Sequence, residues 1–171
     1  IKAISLALKQ YPILNSQLSA DQSQIIYKAA HNIGIAMDTP QGLIVPNIKN
    51  VESKSILEIA QELTRLMDLG ASGKLGVNDL KGGTFSISNV GVIGGTYASP
   101  VIVPPEVCIG AIGKMQKVPR FDKEDNVVAV HIMTMSWSAD HRIVDGASIA
   151  RFSNLVKQYI EEPASMLMHA K

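Results

Sequence analysis

The sequence predicts an α+β domain, a two-layer α/β sandwich in which a few helices cover one mixed or largely antiparallel sheet. Three observations predict it: β-prone segments outnumber helical ones, the helical segments are amphipathic, and no regular strand–helix alternation runs along the chain. With 171 residues, 46% of them hydrophobic, the chain has the size of one domain that buries its own core.

Each element follows from local pattern. Ile1 to Leu8 shows helical periodicity from the first residue with no capping residue ahead of it, which predicts a helix entered in mid-course and a domain that extends further on its N-terminal side. That helix is expected to stop near Tyr11-Pro12, and residues 13–18, 25–28 and 32–37 read as strands. Asp38 to Gly42 carries turn chemistry, with Leu43-Ile44-Val45 returning as a strand ended by Pro46. Ser53 or Ser55 caps a helix whose apolar face is Ile56, Ile59, Leu63 and Leu66, running to a stop at Gly70. A polar linker, 71–83, leads to an alternating strand at 84–88, followed by Gly91, Gly94 and Gly95. Two long strands are predicted at 107–118 and 127–138 around the charged turn 122–126, and residues 147–160 form a closing amphipathic helix.

Composition excludes several functions. Sixteen basic against fifteen acidic residues, with no long run of either sign, give no electrostatic grip on nucleic acid or anionic lipid. No apolar run is long enough to cross a membrane and no signal-sequence pattern opens the chain. The single cysteine, Cys108, rules out an internal disulfide framework and reads as a core residue. His31, His131, His141 and His169 show no ligand spacing, so no metal is expected. Gly91-Val92-Ile93-Gly94-Gly95 lacks the strand–helix–strand setting of a dinucleotide fingerprint.

Chemistry is concentrated in Ser138 to Gly146, between a long strand and the last helix. His141 stands there among charged groups, with Ala139 and Gly146 leaving room for a substrate. Asp145 is either a partner in that site or the cap of the helix beginning at Gly146. On residue grounds Ser88 is a strand-end serine bonded to backbone or a donor to a bound group.

The run Asp140-His141-Arg142-Ile143-Val144-Asp145-Gly146 resembles the signature of the dihydrolipoamide acyltransferases, the catalytic (inner-core) domains of 2-oxo acid dehydrogenase complexes. The segments 33–38, 42–46, 82–85, 87–89, 104–106 and 109–111 resemble that family in the same order, so the likeness covers essentially the whole chain. Met135 to Ala139 and Arg151 to Leu155 are most similar to the branched-chain members.

The resemblance implies a chloramphenicol acetyltransferase-like fold and acyl transfer, of branched-chain type, between dihydrolipoamide and coenzyme A. It implies His141 as the base, Ser88 as donor to the oxyanion, and Asp145 as active-site support through an ion pair with Arg142. Both substrates bind at once, with no acyl-enzyme. The site is implied to lie between subunits of a trimer, His141 of one chain facing Ser88 of the next. Coenzyme A is expected along Asp38, Ser88, Asn89, Val92, Gly113 and Met115, with apolar side chains at Met67, Val92 and Met115 where relatives differ. The lipoyl group is expected on a separate domain, absent here together with the peripheral-subunit-binding domain. A homotrimer building a larger symmetric core, the lipoyl domain, and the decarboxylase and dihydrolipoamide dehydrogenase components are the implied partners, in the mitochondrial matrix of a eukaryote or the cytoplasm of a bacterium. The apolar tail Met166-Leu167-Met168 is either core or, as the resemblance implies from the family's C-terminal helix, a contact between trimers. An acetyl- or succinyl-transferring member, an antibiotic-acetylating enzyme of the same fold and a non-catalytic core protein are the alternatives.

Overall fold

A computed structural model describes residues 1–168, and His169 lies outside them. The first helix, α1 (Lys2–Gln10), is buried from Lys2 to Leu8 and threads the core. Even its lysine is accommodated: Lys2 Nζ donates to the carbonyls of Val51, Glu52 and Lys54. The helix ends before Pro12, as expected, but the strand expected at 13–18 begins with a 3₁₀ turn, Pro12–Asn15. Only β1 (Ser16–Leu18) is extended, pairing with β2 (Ile25–Tyr27) in a small separate ribbon. Pro12, placed near the start of the turn, presets the φ that a 3₁₀ turn needs.

The main sheet has six strands. β3 (Ile33–Thr39) turns at Pro40-Gln41 into β4 (Gly42–Ile44) and also pairs with β5 (Asn47–Ile48). After α2 (Ile56–Ala71) come β6 (Phe85–Asn89) and β7 (Cys108–Ile112), both parallel to their neighbours in the order β3-β6-β7. The hairpin β8 (Gln116–Phe121) and β9 (Val127–Ile132) forms its own two-stranded arm, and β10 (Met135–Ala139) returns to pair antiparallel with β7. The two long strands expected at 107–118 and 127–138 are thus each broken in two. At Gly113 the chain leaves the sheet, its amide bonded to the carbonyl of Thr134 at the second break.

Ser55 caps α2 in a reciprocal box with Glu58. Gly70 is not its stop: it is buried inside the last turn, where a Cβ would lie 3.5 Å from Met37 Sδ, and the helix closes at Ser72 ahead of Gly73, which has φ +66°. The expected linker contains a one-turn helix, α3 (Val77–Leu80), its amide-side end held by Asp79 on the Gly76 N–H. The chain closes with α4 (Gly146–Glu161) and the short α5 (Ala164–Leu167).

Strand alternation sends Ile33, Phe85, Ile87 and Cys108 to one face, where they form a single core with α1, α2 and α4. Phe85, Trp137 and Phe152 meet at 5.2–6.3 Å between ring centres. Trp137 also donates to Ser153 Oγ at 2.9 Å, which ties α4 to β10. A Cβ on Gly110 would lie 2.5 Å from the Trp137 ring, so only glycine lets the indole lie over β7. The other face carries the small residues Gly34, Ala36, Ser86, Ser88 and Ala111. This is the two-layer α+β arrangement with a mixed sheet. In the tail, Met166 packs on the core while Leu167 and Met168 are exposed.

Candidate active site

The strand register separates the two principal candidates. Ser88 is level with Ala111 of β7, and Ala111 with Ser136 of β10; β10 then runs antiparallel through Ser138 to Ala139 before releasing the loop that holds His141. At about 3.3 Å per residue along a strand and about 4.8 Å between strands, His141 and Ser88 of one chain are on the order of 15 Å apart. Hydrogen-bonded catalysis needs about 3 Å. One copy of the chain therefore places the two residues at opposite ends of its sheet.

The His141 end is braced around an exposed ring. The Asp140 amide donates to the Val107 carbonyl, and the Asp140 carbonyl accepts from the amides of Ile143 and Val144. Val144 is anchored in the core. His141 itself is exposed and makes no hydrogen bond or ion pair to another described residue. Arg142 does not pair with Asp145, contrary to expectation. Its guanidinium grips Asp140 two residues back, Nε to Oδ1 at 2.9 Å and Nη2 to Oδ2 at 2.6 Å, and donates from Nη1 to Gln22 Oε1 at 2.9 Å. Those bonds hold the Asp140 carboxyl below its ordinary range.

Asp145 is turned away to cap α4, accepting the Ser148 amide at 2.6 Å, and that bond lowers its carboxyl too. The cap reading predicts that Asp145→Asn, an equally good N-cap, leaves the unfolding midpoint and turnover nearly unchanged. Asp145→Ala should lower the midpoint by a few degrees. Thermal unfolding and an acyl-transfer assay on both variants check this; a large loss of turnover in the asparagine variant would point to proton transfer instead.

At the opposite end, Ser88 is half-buried on β6 and its hydroxyl makes no hydrogen bond to another described residue, so it is not spent on backbone. Asp38 lies two residues beyond Ala36, the partner of Ser88, on the exposed hairpin. Asn89 caps the following turn, its Oδ1 accepting the Gly91 amide at 3.1 Å. Gly113 is buried, and a Cβ there would lie 2.1 Å from the Thr96 carbonyl oxygen. Backbone crowding alone thus demands that glycine, whatever binds nearby. Met67, Val92 and Met115 are all exposed.

Among the described residues no group of three or more histidine, cysteine, aspartate or glutamate side chains is placed to hold a metal, and no helix is long and apolar enough to cross a membrane. Cys108 is fully buried in the core, and burial, with the nearby Glu106, pushes its thiol up to about 12. His31 is likewise a core histidine, its Nδ1 bonded to Ser5 Oγ at 2.8 Å.

Sequence reasoning missed Glu106. Its carboxyl is buried at the His141 end and burial drives it up to about 7; the Ser86 hydroxyl beside it pulls weakly downward without closing a hydrogen bond. A signal was present, a carboxylate set between Pro104-Pro105 and Val107-Cys108. Gln22, held at φ 58° in the turn between β1 and β2, had no such signal. A cavity of about 260 Å³ beside the His141 loop is lined by Asp140, Arg142, Glu106 and Val107, among others.

Known proteins share this design. A lipoamide acyltransferase component of the branched-chain alpha-keto acid dehydrogenase complex from Caenorhabditis elegans is 61% identical over the whole chain, and its Mus musculus counterpart 60%. A pyruvate dehydrogenase acetyltransferase component from Mycoplasma genitalium is 42% identical over 95% of the chain. The chain spans 36–38% of the length of the mouse and worm proteins. A solved structure of the Azotobacter vinelandii dihydrolipoamide acetyltransferase superposes with a TM-score of 0.92 at 36% identity, over 97% of this chain and 68% of that one. Chloramphenicol acetyltransferase, at 14% identity and a TM-score of 0.58, shares the fold alone. With the model of that family matching residues 1–168, the chain belongs to the 2-oxoacid dehydrogenases acyltransferase (catalytic domain) family.

Proposed function

We propose that this domain moves an acyl group of branched-chain type between the thiol of dihydrolipoamide and that of coenzyme A, in a site completed by a second copy of the chain. The observation that carries this reading is the placement of an unpaired, exposed His141 and an unspent Ser88 hydroxyl at opposite ends of one sheet. A closed ring of copies brings each His141 to a neighbour's Ser88.

A thiol with a reference pKa of about 8.5 is mostly protonated near neutral pH, and imidazole, at about 6.5, is free to take its proton. His141 removes the proton, the thiolate attacks the thioester carbonyl, and the C=O electron pair moves onto oxygen. Ser88 of the adjoining chain donates to that oxyanion. As the carbonyl re-forms, the original C–S bond breaks and the departing sulfur takes the proton back from His141. No acyl-enzyme is needed. Arg142, Asp140 and the Asp145 cap hold the loop that carries the base.

The Azotobacter vinelandii enzyme supports these roles, since a serine, a histidine and an asparagine were investigated in its catalytic mechanism and the asparagine follows the histidine by four residues. Asp145 follows His141 by the same interval. The higher identity to branched-chain than to acetyl-transferring relatives supports the acyl preference. On this reading Asp38, Ser88, Asn89, Val92, Gly113 and Met115 form the coenzyme A end, with Gly113 contributing backbone only. The lipoyl group arrives on its own domain. Homotrimers assemble into a core that receives the decarboxylase and dihydrolipoamide dehydrogenase, in the mitochondrial matrix, a reading supported by the mitochondrial branched-chain relatives.

The test is acyl exchange between acyl-coenzyme A and free dihydrolipoamide with isobutyryl, acetyl and succinyl donors. Isobutyryl is expected to give the highest kcat/KM. A preference for acetyl or succinyl would reassign the substrate, and no exchange with any donor would leave only a structural core role.

A further inference from the structure

The larger of two neighbouring cavities is not at the His141 loop. About 540 Å³ in volume, it lies at the same end of the sheet and shares with the smaller cavity the wall formed by Pro104, Pro105 and Glu106. Its floor follows from register. Gly34 pairs with Ser86 on one side and Asn47 on the other, and a Cβ on Gly34 would lie 2.7 Å from Ser86 Oγ and 2.9 Å from Val45 Cγ1. Gly83 leaves a second gap, since a Cβ there would lie 2.6 Å from Glu106 Oε1.

Two polar side chains at this cavity are more than nine-tenths buried and incompletely bonded. Asn47, 2% exposed, spends its Nδ2 on the carbonyls of Asp79 and Lys81 and leaves Oδ1 without a hydrogen bond. Glu106, 8% exposed, leaves Oε2 without one. Ser86 Oγ beside it is also unbonded. A buried acceptor without a donor is costly, and a buried carboxylate without a cation more so. Charged groups stand around Glu106 but do not reach it. Lys28 lines the cavity without an ion pair, Lys49 is bonded to the Lys81 carbonyl, Asp79 is paired with Arg65, and Arg142 is held by Asp140 across the smaller cavity. Cys108 behind Glu106 is a neutral thiol. Ile26, Val45, Leu80 and Val103 form an apolar stretch of a wall that also carries Gln17, Asn32 and Thr84.

We propose that this cavity binds an organic cation, an alkylammonium or alkylguanidinium, whose N–H donors meet Glu106 Oε2 and Asn47 Oδ1 while its stem lies along Ile26, Val45 and Val103. Two buried acceptors, one of them a carboxyl that no cation reaches, select N–H donors of positive charge, and the apolar stretch of the wall selects a hydrocarbon stem. A free amine carries this chemistry, and so does a lysine or arginine side chain of a second copy. The site is independent of the acyl-transfer reading, because neither His141 nor Ser88 touches it.

The test uses the whole chain in its native assembly with n-butylammonium chloride as probe, against N-butylurea and sodium chloride at matched concentration. Thermal unfolding midpoints and sedimentation are read in parallel. At pH 8 only the ammonium is expected to shift the midpoint in saturable fashion, and Glu106→Gln should abolish the shift. Glu106 loses its proton at about 7, so apparent affinity should fall about tenfold between pH 8 and pH 6 in the unmodified protein. That pH series needs no variant. A raised midpoint at unchanged mass identifies a free ligand, whereas a lowered midpoint with dissociation identifies displacement of a second copy's side chain. Equal responses to n-butylammonium and N-butylurea, the same response in Glu106→Gln, or an affinity indifferent to pH would each overturn the proposal.

Discussion

Replacing His141 by alanine is expected to lower kcat for acyl exchange by roughly 10²- to 10⁴-fold, the range over which a positioned general base acts. Stability should barely change. The ring is exposed and bonded to no other described residue, so its removal breaks no hydrogen bond or ion pair and opens no buried cavity. Its loop is held by other groups, the Asp140–Arg142 pair, the Val107 carbonyl and buried Val144. The measurement is a pair of numbers on one preparation, turnover and unfolding midpoint, with the oligomer's mass as control. A fall in turnover matched by a fall in midpoint would mean that the loop had collapsed. Unchanged turnover would leave the base elsewhere.

That separation of chemistry from packing explains which features the sequence disclosed. The helices α2 and α4 are legible because capping and periodicity are local: Ser55 answers to Glu58 three residues on, and Asp145 to Ser148. The strand β6 is legible because Phe85 and Ile87 alternate with serines. The breaks in the two long strands are not local events. Gly113 and Thr134 are joined by a hydrogen bond across twenty-one positions, and composition on either side of each break stays β-prone. The 3₁₀ turn at Pro12–Asn15 is another tertiary choice, because Asn15 Nδ2 is drawn inward to the carbonyls of Lys28 and Ala30.

For the site, the reactive residue types are readable but their partners are not. His141, Ser88 and Asp145 stand in segments that resemble a family, and the geometry is compatible with the roles proposed for the first two. Arg142 was assigned to Asp145 on precedent, whereas the shorter span to Asp140 lets one carboxylate take two guanidinium donors. The third donor reaches Gln22, 120 positions away, which no one-dimensional reading finds. Glu106 was readable in principle as a charge inside an apolar run. Only the fold reveals that its oxygen lacks a donor.

Ser88→Ala is expected to lower turnover by about 10²- to 10³-fold with little change in KM, since the lost bond forms to an oxyanion that the ground state lacks. The more decisive experiment combines the two variants. Within one chain the register holds His141 and Ser88 on the order of 15 Å apart, so on the proposed mechanism each site draws its histidine and its serine from different copies. If chains carrying His141→Ala and Ser88→Ala are unfolded together and reassembled in equal amounts, random closed rings contain about one quarter intact sites. Such a site pairs the histidine of a Ser88→Ala chain with the serine of a His141→Ala neighbour. Activity of the mixture should therefore rise to about a quarter of the unmodified level, far above either parent. Were the site instead built within a single chain, every ring would be as inactive as its components. A mixture no faster than the better parent, with coassembly verified by mass, would remove the shared site and with it the assignment of Ser88 as oxyanion donor.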